Sequence, residues 1–324
     1  MALIPPERGE QVVADLQARF DRVDVPYKTV NNTAINTAIF VPKTISSAAA
    51  STTTTTVPVL VHFHGGALLM GTYPEPVRDL AHSTPAIFVS PGYRLAPEAR
   101  GVEILDDVAD FWTWLHAHLP AAVAERWPHL APDLARVVAV GESAGGFLTL
   151  QSAFLFNRAA RLRAAVALYP AMYLDLPAFS PRAAEPVPAW DALVADYLKD
   201  VAANPGTVRV STPWPEKVDL LSAGLGNGLM RELLGEDPEG KLTLKYALEK
   251  AEEVPPPVWV VQGTEDVIIP KPATDELVER IAREKPKAMV KYTVQPGGHG
   301  FDGLNTVKDD WVREGVDFVK GYWL

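Results

Sequence analysis

Short apolar runs recur along this chain between stretches whose apolar residues repeat every three or four positions. The runs are Ala34 to Val41, Val57 to Phe63, Ala86 to Ser90, Arg136 to Val140, Ala164 to Leu168, Val258 to Gln262 and Met289 to Val294. Several are apolar throughout rather than alternating, which is the pattern of strands buried on both faces of a mostly parallel sheet. Between them, Ile104, Leu105, Val108, Phe111, Trp112, Leu115 and Leu119 fall at helical spacing and predict one buried stripe. Thr306 to Tyr322 predicts a terminal helix with Trp311, Phe318 and Tyr322 near one side. The two periods alternate along the chain, which predicts a doubly wound α/β fold.

Two stretches break the rhythm. Thr44 to Thr56, with five consecutive threonines, is low in complexity and predicts a solvated loop between two strands. Tyr173 to Pro257 is too long for one crossover and is interrupted by prolines, among them Pro177, Pro186, Pro205 and Pro238. Trp190, Leu193, Val194, Tyr197, Leu198 and Val201 stand at helical spacing inside it, so a folded insertion is expected there. Placed in the middle of the alternation, it is positioned to cover a pocket.

At 324 residues the chain exceeds the roughly 250 expected of one α/β domain, in keeping with a core plus an insertion. The formal charge of -10 disfavours nucleic acid or an anionic membrane surface as partner. Absence of cysteine removes disulfides, zinc-thiolate sites and cysteine nucleophiles from consideration. No run of about 18 apolar residues predicts a membrane span, and the first residues do not read as a signal peptide. A soluble, cytoplasmic protein acting on a neutral or lipophilic small molecule is the expectation.

The chemistry concentrates at predicted strand ends. Gly141-Glu142-Ser143-Ala144-Gly145 joins the run Arg136 to Val140 to a helix-like run with almost no spacer. A serine on so sharp a turn is held clear of the sheet, and the turn needs glycines because a Cβ at either flank would crowd the strand or the helix. Ser143 is the candidate nucleophile. A hydroxyl needs a base, most often an imidazole. Of seven histidines, His82, His116, His118 and His129 read as surface or packing residues and His62 as a buried strand residue. His299, in the loop Gln295 to Phe301 after the last predicted strand, is the candidate base. His64 opens a glycine turn. The loop after Val258 to Gln262 carries Glu265 and Asp266; Asp266 is preferred as the carboxylate that holds the imidazole, with Glu265 the competitor. His64-Gly65-Gly66-Ala67 follows the strand Val57 to Phe63, so the N–H groups of Gly65, Gly66 and Ala144 are the candidate oxyanion donors. The order Ser143, Asp266, His299 is that of α/β-hydrolase triads.

These residues resemble the hormone-sensitive-lipase-like branch of the α/β-hydrolases, a group of carboxylesterases. The matching segments are His64-Gly65-Gly66-Ala67, Tyr93-Arg94-Leu95-Ala96-Pro97-Glu98, Gly141 to Gly145, Asp266 after Gly263, and His299-Gly300-Phe301. The resemblance implies an α/β-hydrolase core with a helical cap, a Ser-His-Asp mechanism with an acyl-enzyme, and no cofactor or metal. It implies that His64 shapes the oxyanion loop and that Arg94 and Glu98 are supports. The implied organisation is cap at 1–27, core at 28–172, cap insertion at 173–255 and core again at 256–324. Ala67, Glu142, Trp190 and Trp214 are the candidate substrate contacts, with cap packing an equal reading for Trp190. Two departures stand out: Ala67 occupies the place of a frequent third glycine, and no second acid follows Asp266 through Pro270. A small-molecule ester is the expected substrate and a homodimer is compatible. A specialised hydrolase, lactonase or acyltransferase on the same residues is the alternative, and a non-catalytic receptor a more distant one.

Overall fold

The computed structural model describes residues 17–47, 54–71, 84–171, 185–213 and 215–324. Eight strands form one sheet in the order β1-β2-β4-β3-β5-β6-β7-β8. They are β1 (Phe20–Val30), β2 (Thr33–Pro42), β3 (Thr55–Phe63), β4 (Ile87–Pro91), β5 (Leu130–Glu142), β6 (Ala164–Leu168), β7 (Val258–Gly263) and β8 (Val290–Gln295). β2 is antiparallel to both β1 and β4; from β4 to β8 all neighbours are parallel. This is the mostly parallel sheet that the sequence pattern predicts, with the α/β-hydrolase architecture that the resemblance implies. Among the described residues, no helix is long and apolar enough to cross a membrane.

Alternation along the central strands divides the core into two layers. Val59, Val61, Val137, Ala139, Val258 and Val260 face the layer that includes the helices Gly101–Arg126, Ala144–Phe154 and Lys271–Glu284. Leu60, Val138, Val140, Trp259 and Val261 face the opposite layer, closed by the helix Asp310–Trp323. With both faces covered, the strands must be apolar throughout, which is why they read as continuous runs.

Three expectations change. β1 was not anticipated, and residues 20–27, assigned to a cap, instead pair with β2. The half-exposed edge alternates Val23, Val25 and Tyr27 with Arg22, Asp24, Pro26 and Lys28, a period-two pattern on a strand with one solvated face. In the last helix the fully buried residues are Val312, Val316, Val319 and Trp323; Trp311, Phe318 and Tyr322 lie at the rim of the layer. The threonine-rich segment is shorter as a loop than expected: Lys43–Ser46 forms a helical turn, Thr55 and Thr56 belong to β3, and 48–53 lie outside the described residues.

The insertion contains the helices Pro188–Ala203, Val218–Gly226, Met230–Leu234 and Leu244–Lys250. It is tied to the core beside the glycine turn. Gly71 and Thr212 exchange both backbone hydrogen bonds, at 2.9 and 3.0 Å, and Leu95 N–H donates to Arg209 O at 2.8 Å. Below these, the Glu98 carboxylate accepts from Lys217 Nζ at 2.6 Å, Arg209 Nε at 2.8 Å and the Tyr197 hydroxyl at 2.8 Å. Lys217 Nζ also donates to Ala96 O at 2.8 Å. Burial opposes the charge on Glu98, but Lys217 and the Tyr197 hydroxyl hold its carboxyl below the usual range.

Candidate active site

Because β3, β5, β6, β7 and β8 are parallel and in register, their C-terminal ends share one edge. Phe63 pairs with Gly141, Glu142 with Leu168, and Gly263 with Gln295. Five loops therefore leave the sheet side by side, and chemistry spread over 240 positions of sequence meets there.

Ser143 occupies the turn between β5 and the helix Ala144–Phe154 with φ 53° and ψ -117°, a region side chains rarely adopt. The flanks explain how it is tolerated. A Cβ at Gly145 would lie 1.9 Å from Phe63 O, and one at Gly141 would lie 2.3 Å from Gly145 backbone atoms. Ser143 N–H donates to Leu168 O at 2.9 Å, and Ser143 O accepts from Ala171 N–H at 2.9 Å. The β6 exit thus brackets the serine from one side.

His299 reaches this point from the loop after β8. Its Nδ1 lies 2.8 Å from Asp266 Oδ2 and its Nε2 3.0 Å from Ser143 Oγ. With Nδ1 donating to the carboxylate, Nε2 is left as acceptor for the serine hydroxyl. The Asp266 side chain is fully buried, and its Oδ1 accepts from the N–H groups of Ile268 and Ile269 at 2.9 and 2.8 Å. Those two amides hold the carboxylate although no second acid follows it. Glu265, the competing acid, is exposed.

The glycine turn differs from the sequence expectation in one donor. Gly65 N–H donates to Glu142 Oε1 at 2.7 Å and is already committed, so it is not free for an oxyanion. Glu142 Oε2 in turn sits 2.7 Å from His62 Nε2, so this carboxylate, a candidate substrate contact, tethers β3 to the turn. Gly66, Ala67 and Leu68 follow with φ of 101°, 60° and 60°. A Cβ at Gly66 would lie 2.1 Å from Met70 O, so only glycine fits the tightest point. Ala67, a candidate substrate contact, stands where its N–H is the next donor after Gly66. Ala144 is the first residue of its helix, where an N–H has no intrahelical acceptor.

His64 does not meet the serine. It is buried, its Nδ1 donates to Gly65 O at 2.7 Å, and its ring stacks on Tyr93 at 4.3 Å. Burial pushes its pKa down to about 4, so the ring is neutral. Of the expected substrate contacts in the insertion, Trp190 packs on the neighbouring helix: a Cβ at Gly226 would lie 2.2 Å from its ring. Trp214 lies outside the described residues. No group of three or more metal-ligating side chains is found among the described residues.

Two neighbours of His299 escaped the sequence reading. Tyr169, one residue past β6, has its ring 4.7 Å from the imidazole and donates its hydroxyl to Asp302 Oδ1 at 2.8 Å. Burial, then the charges of Asp302 and Glu142, drive the phenol well above its usual range. Burial also raises the Asp302 carboxyl, against the opposing hydrogen bond from Tyr169. Tyr169 directly follows β6, whereas Asp302 lies in the loop after the edge strand β8, and nothing local in the sequence links the two.

Comparison with known proteins gives the same picture. The sequence profile of a family described by the α/β hydrolase fold matches residues 60–222. A probable carboxylesterase of Phoma sp. is 31% identical over 323 residues, spanning 94% of this chain and 97% of that protein. A probable carboxylesterase of Cochliobolus lunatus is 32% identical over 192 residues, 57% of this chain and 86% of its own length. An esterase of the fungus Rhizomucor miehei superposes with a TM-score of 0.62 at 17% identity, over 99% of this chain and 89% of that one. For an esterase of Pyrobaculum calidifontis the TM-score is 0.57 at 19% identity, over 98% and 91%. These two structures share the fold, while the Phoma relative is similar along nearly the whole sequence. With the family profile across half its length and that full-length kinship, this chain belongs to the hormone-sensitive-lipase-like carboxylesterase family of α/β-hydrolases.

Proposed function

We propose that this protein is a serine carboxylesterase that hydrolyses small, lipophilic esters through an acyl-enzyme on Ser143. The observation that carries the reading is one unbroken hydrogen-bond path: Asp266 Oδ2 to His299 Nδ1 at 2.8 Å and His299 Nε2 to Ser143 Oγ at 3.0 Å. Ser143 Oγ attacks the ester carbonyl carbon as its proton passes to His299 Nε2. The carbonyl oxygen becomes an oxyanion, received by the N–H groups of Gly66, Ala67 and Ala144. Asp266 keeps Nδ1 protonated and stabilises the imidazolium that forms. The C–O bond to the alcohol breaks, the leaving oxygen takes the proton from Nε2, and the acyl group stays on Ser143. Water then attacks the acyl carbon, giving its proton to His299, and Ser143 recovers that proton as the acid departs. The insertion, joined to Gly71 through Thr212 and to Leu95 through Arg209, serves as the cap that selects the substrate.

The test is hydrolysis of p-nitrophenyl esters of increasing acyl length. Ser143→Ala and His299→Ala are each expected to lower turnover at least ~10³-fold, and Asp266→Asn severely. Diethyl p-nitrophenyl phosphate is expected to label Ser143 in the wild-type protein. Normal turnover by the Ser143→Ala protein would overturn the mechanism. If labelling occurs but every simple ester and lactone fails, the acyl-enzyme stands and the substrate is a specialised one.

A further inference from the structure

Ser143 leaves β5 and His299 follows β8, so two strands, β6 and β7, separate the nucleophile from its base. Their mutual placement must hold within tenths of an ångström for proton transfer. One residue ties the two loops together. Tyr169 sits in the segment 168–171 that is bonded to the serine backbone at both ends, Leu168 O accepting from Ser143 N–H and Ala171 N–H donating to Ser143 O, each at 2.9 Å. Its own N–H donates to Val261 O at 2.7 Å, which fixes the segment to β7 as well. Its side chain engages the turn that carries the base. The ring meets His299 at 4.7 Å and 61°, meets Phe301 at 6.2 Å and 62°, and the hydroxyl bonds Asp302 Oδ1 at 2.8 Å.

The backbone conformation makes the same point. Tyr169 has φ +34°, a value that glycine adopts freely and a tyrosine does not. Strain of this kind persists where the surroundings over-determine it, and here the side chain itself is the part a glycine would lack. Burial opposes the charge on Asp302, and the hydrogen bond from Tyr169 works against that effect. The phenolic proton is thus the favourable partner that keeps an acid in that position.

The geometry points to Tyr169 and Asp302 as positioning residues for the base: their hydrogen bond locks the His299 turn to the serine-bearing turn and sets the imidazole plane for transfer to and from Ser143. This rests on the reading of His299 as the base, proposed above. Neither residue exchanges a proton with substrate. The phenol orients, and the carboxylate holds the phenol.

The experiment is a double-mutant cycle on the full chain, read as kcat and KM for p-nitrophenyl butyrate. Rates are normalised to active sites counted by the p-nitrophenol burst with diethyl p-nitrophenyl phosphate, so that unfolded protein does not enter kcat. Tyr169→Phe keeps the ring and loses the hydroxyl; Asp302→Ala loses the acceptor. Each is expected to lower kcat about tenfold, the rate equivalent of one hydrogen bond worth about 1.4 kcal/mol, with KM changed less than about twofold. The double variant is expected to be no slower than either single one, because both remove the same bond. Asp302→Asn retains an acceptor oxygen and is expected to recover most of the rate. Wild-type kcat per site in Tyr169→Phe and Asp302→Ala, beside an inactive His299→Ala, overturns this proposal alone. Additive losses, or an Asp302→Asn protein as slow as Asp302→Ala, also overturn it, since charge rather than the bond would then matter. A fully active His299→Ala protein would overturn the base reading and this proposal with it.

Discussion

Glu142 precedes the nucleophile, yet its side chain is turned away from the reaction path and toward the oxyanion loop. Its two oxygens are shared between Gly65 N–H and His62 Nε2, each at 2.7 Å, with 23% of the side chain exposed. Replacing Glu142 by alanine removes both bonds at once. A hydrogen bond to a charged acceptor contributes about 1.5–3 kcal/mol, and here the released group, Gly65, directly precedes the donors proposed at Gly66 and Ala67. Complete loss of one oxyanion donor costs about 10²–10³ in kcat, which sets the ceiling. A loop that is loosened rather than removed falls below it, so Glu142→Ala is expected to lower kcat about 10- to 100-fold. An opposite effect also exists: the carboxylate is a negative charge near a developing oxyanion, and deleting it favours the transition state. Glu142→Gln separates the two, because the amide oxygen still accepts from Gly65 while the charge is gone. The glutamine protein is expected to keep most of the wild-type rate. The assay is steady-state hydrolysis of p-nitrophenyl butyrate together with inhibition by a trifluoromethyl ketone, whose hemiketal oxyanion occupies the same donors. Its Ki should weaken in proportion to kcat/KM. Wild-type kcat in Glu142→Ala, or a loss confined to KM with unchanged Ki, would refute the tether.

His64 links pH to stability. Its pKa is ordinary in the unfolded chain and about 4 when folded, so its contribution is fully present above pH 6.5 and is lost as pH falls toward 4. The difference corresponds to about 3 kcal/mol, offset in part by Asp302, whose raised carboxyl favours the folded state as pH falls. In urea titrations at pH 7 and 4.5, His64→Asn is expected to lose less stability on acidification than the wild type; an equal loss would count against a neutral buried imidazole. Lys217 and Glu98 are both nearly buried, at 2% and 5% side-chain exposure, so Lys217→Met removes the buried cation from a carboxylate that keeps Arg209 and Tyr197. The expected loss is about 3 kcal/mol, with partial recovery in the Lys217→Met/Glu98→Gln double variant. A urea midpoint unchanged by Lys217→Met would show that the latch is not energetically coupled to folding.

What could be read in advance at this site depended on how local each requirement is. Ser143 stands out because its marks lie within four residues, the glycines at 141 and 145: a Cβ at Gly141 would meet Gly145 across the turn, and one at Gly145 would meet Phe63 O at the end of β3. The meeting of Asp266 with His299 was legible by a weaker rule, that groups at the ends of parallel strands converge, and the pairing of Gly263 with Gln295 brings their two loops together. The choice between Glu265 and Asp266 needed more, because it turns on which carboxylate the Ile268 and Ile269 amides capture. The proposed oxyanion donors differ from the expected set for a related reason. Gly65 and Gly66 look alike in sequence, and the difference between them is a carboxylate on β5, 77 positions away, that takes one N–H and leaves the other. The first strand was missed although Val23, Val25 and Tyr27 alternate with polar residues, since an edge with one solvated face lacks the apolar runs of the buried strands. Tyr169 and Asp302 lie 133 positions apart and carry no local mark. Glycines announce where a backbone must pass close to something; which hydrogen-bonding groups are already taken is decided by partners from other strands. Sequence therefore marks the nucleophile and its turn, whereas the division of labour among the donors and acids around it belongs to the tertiary structure.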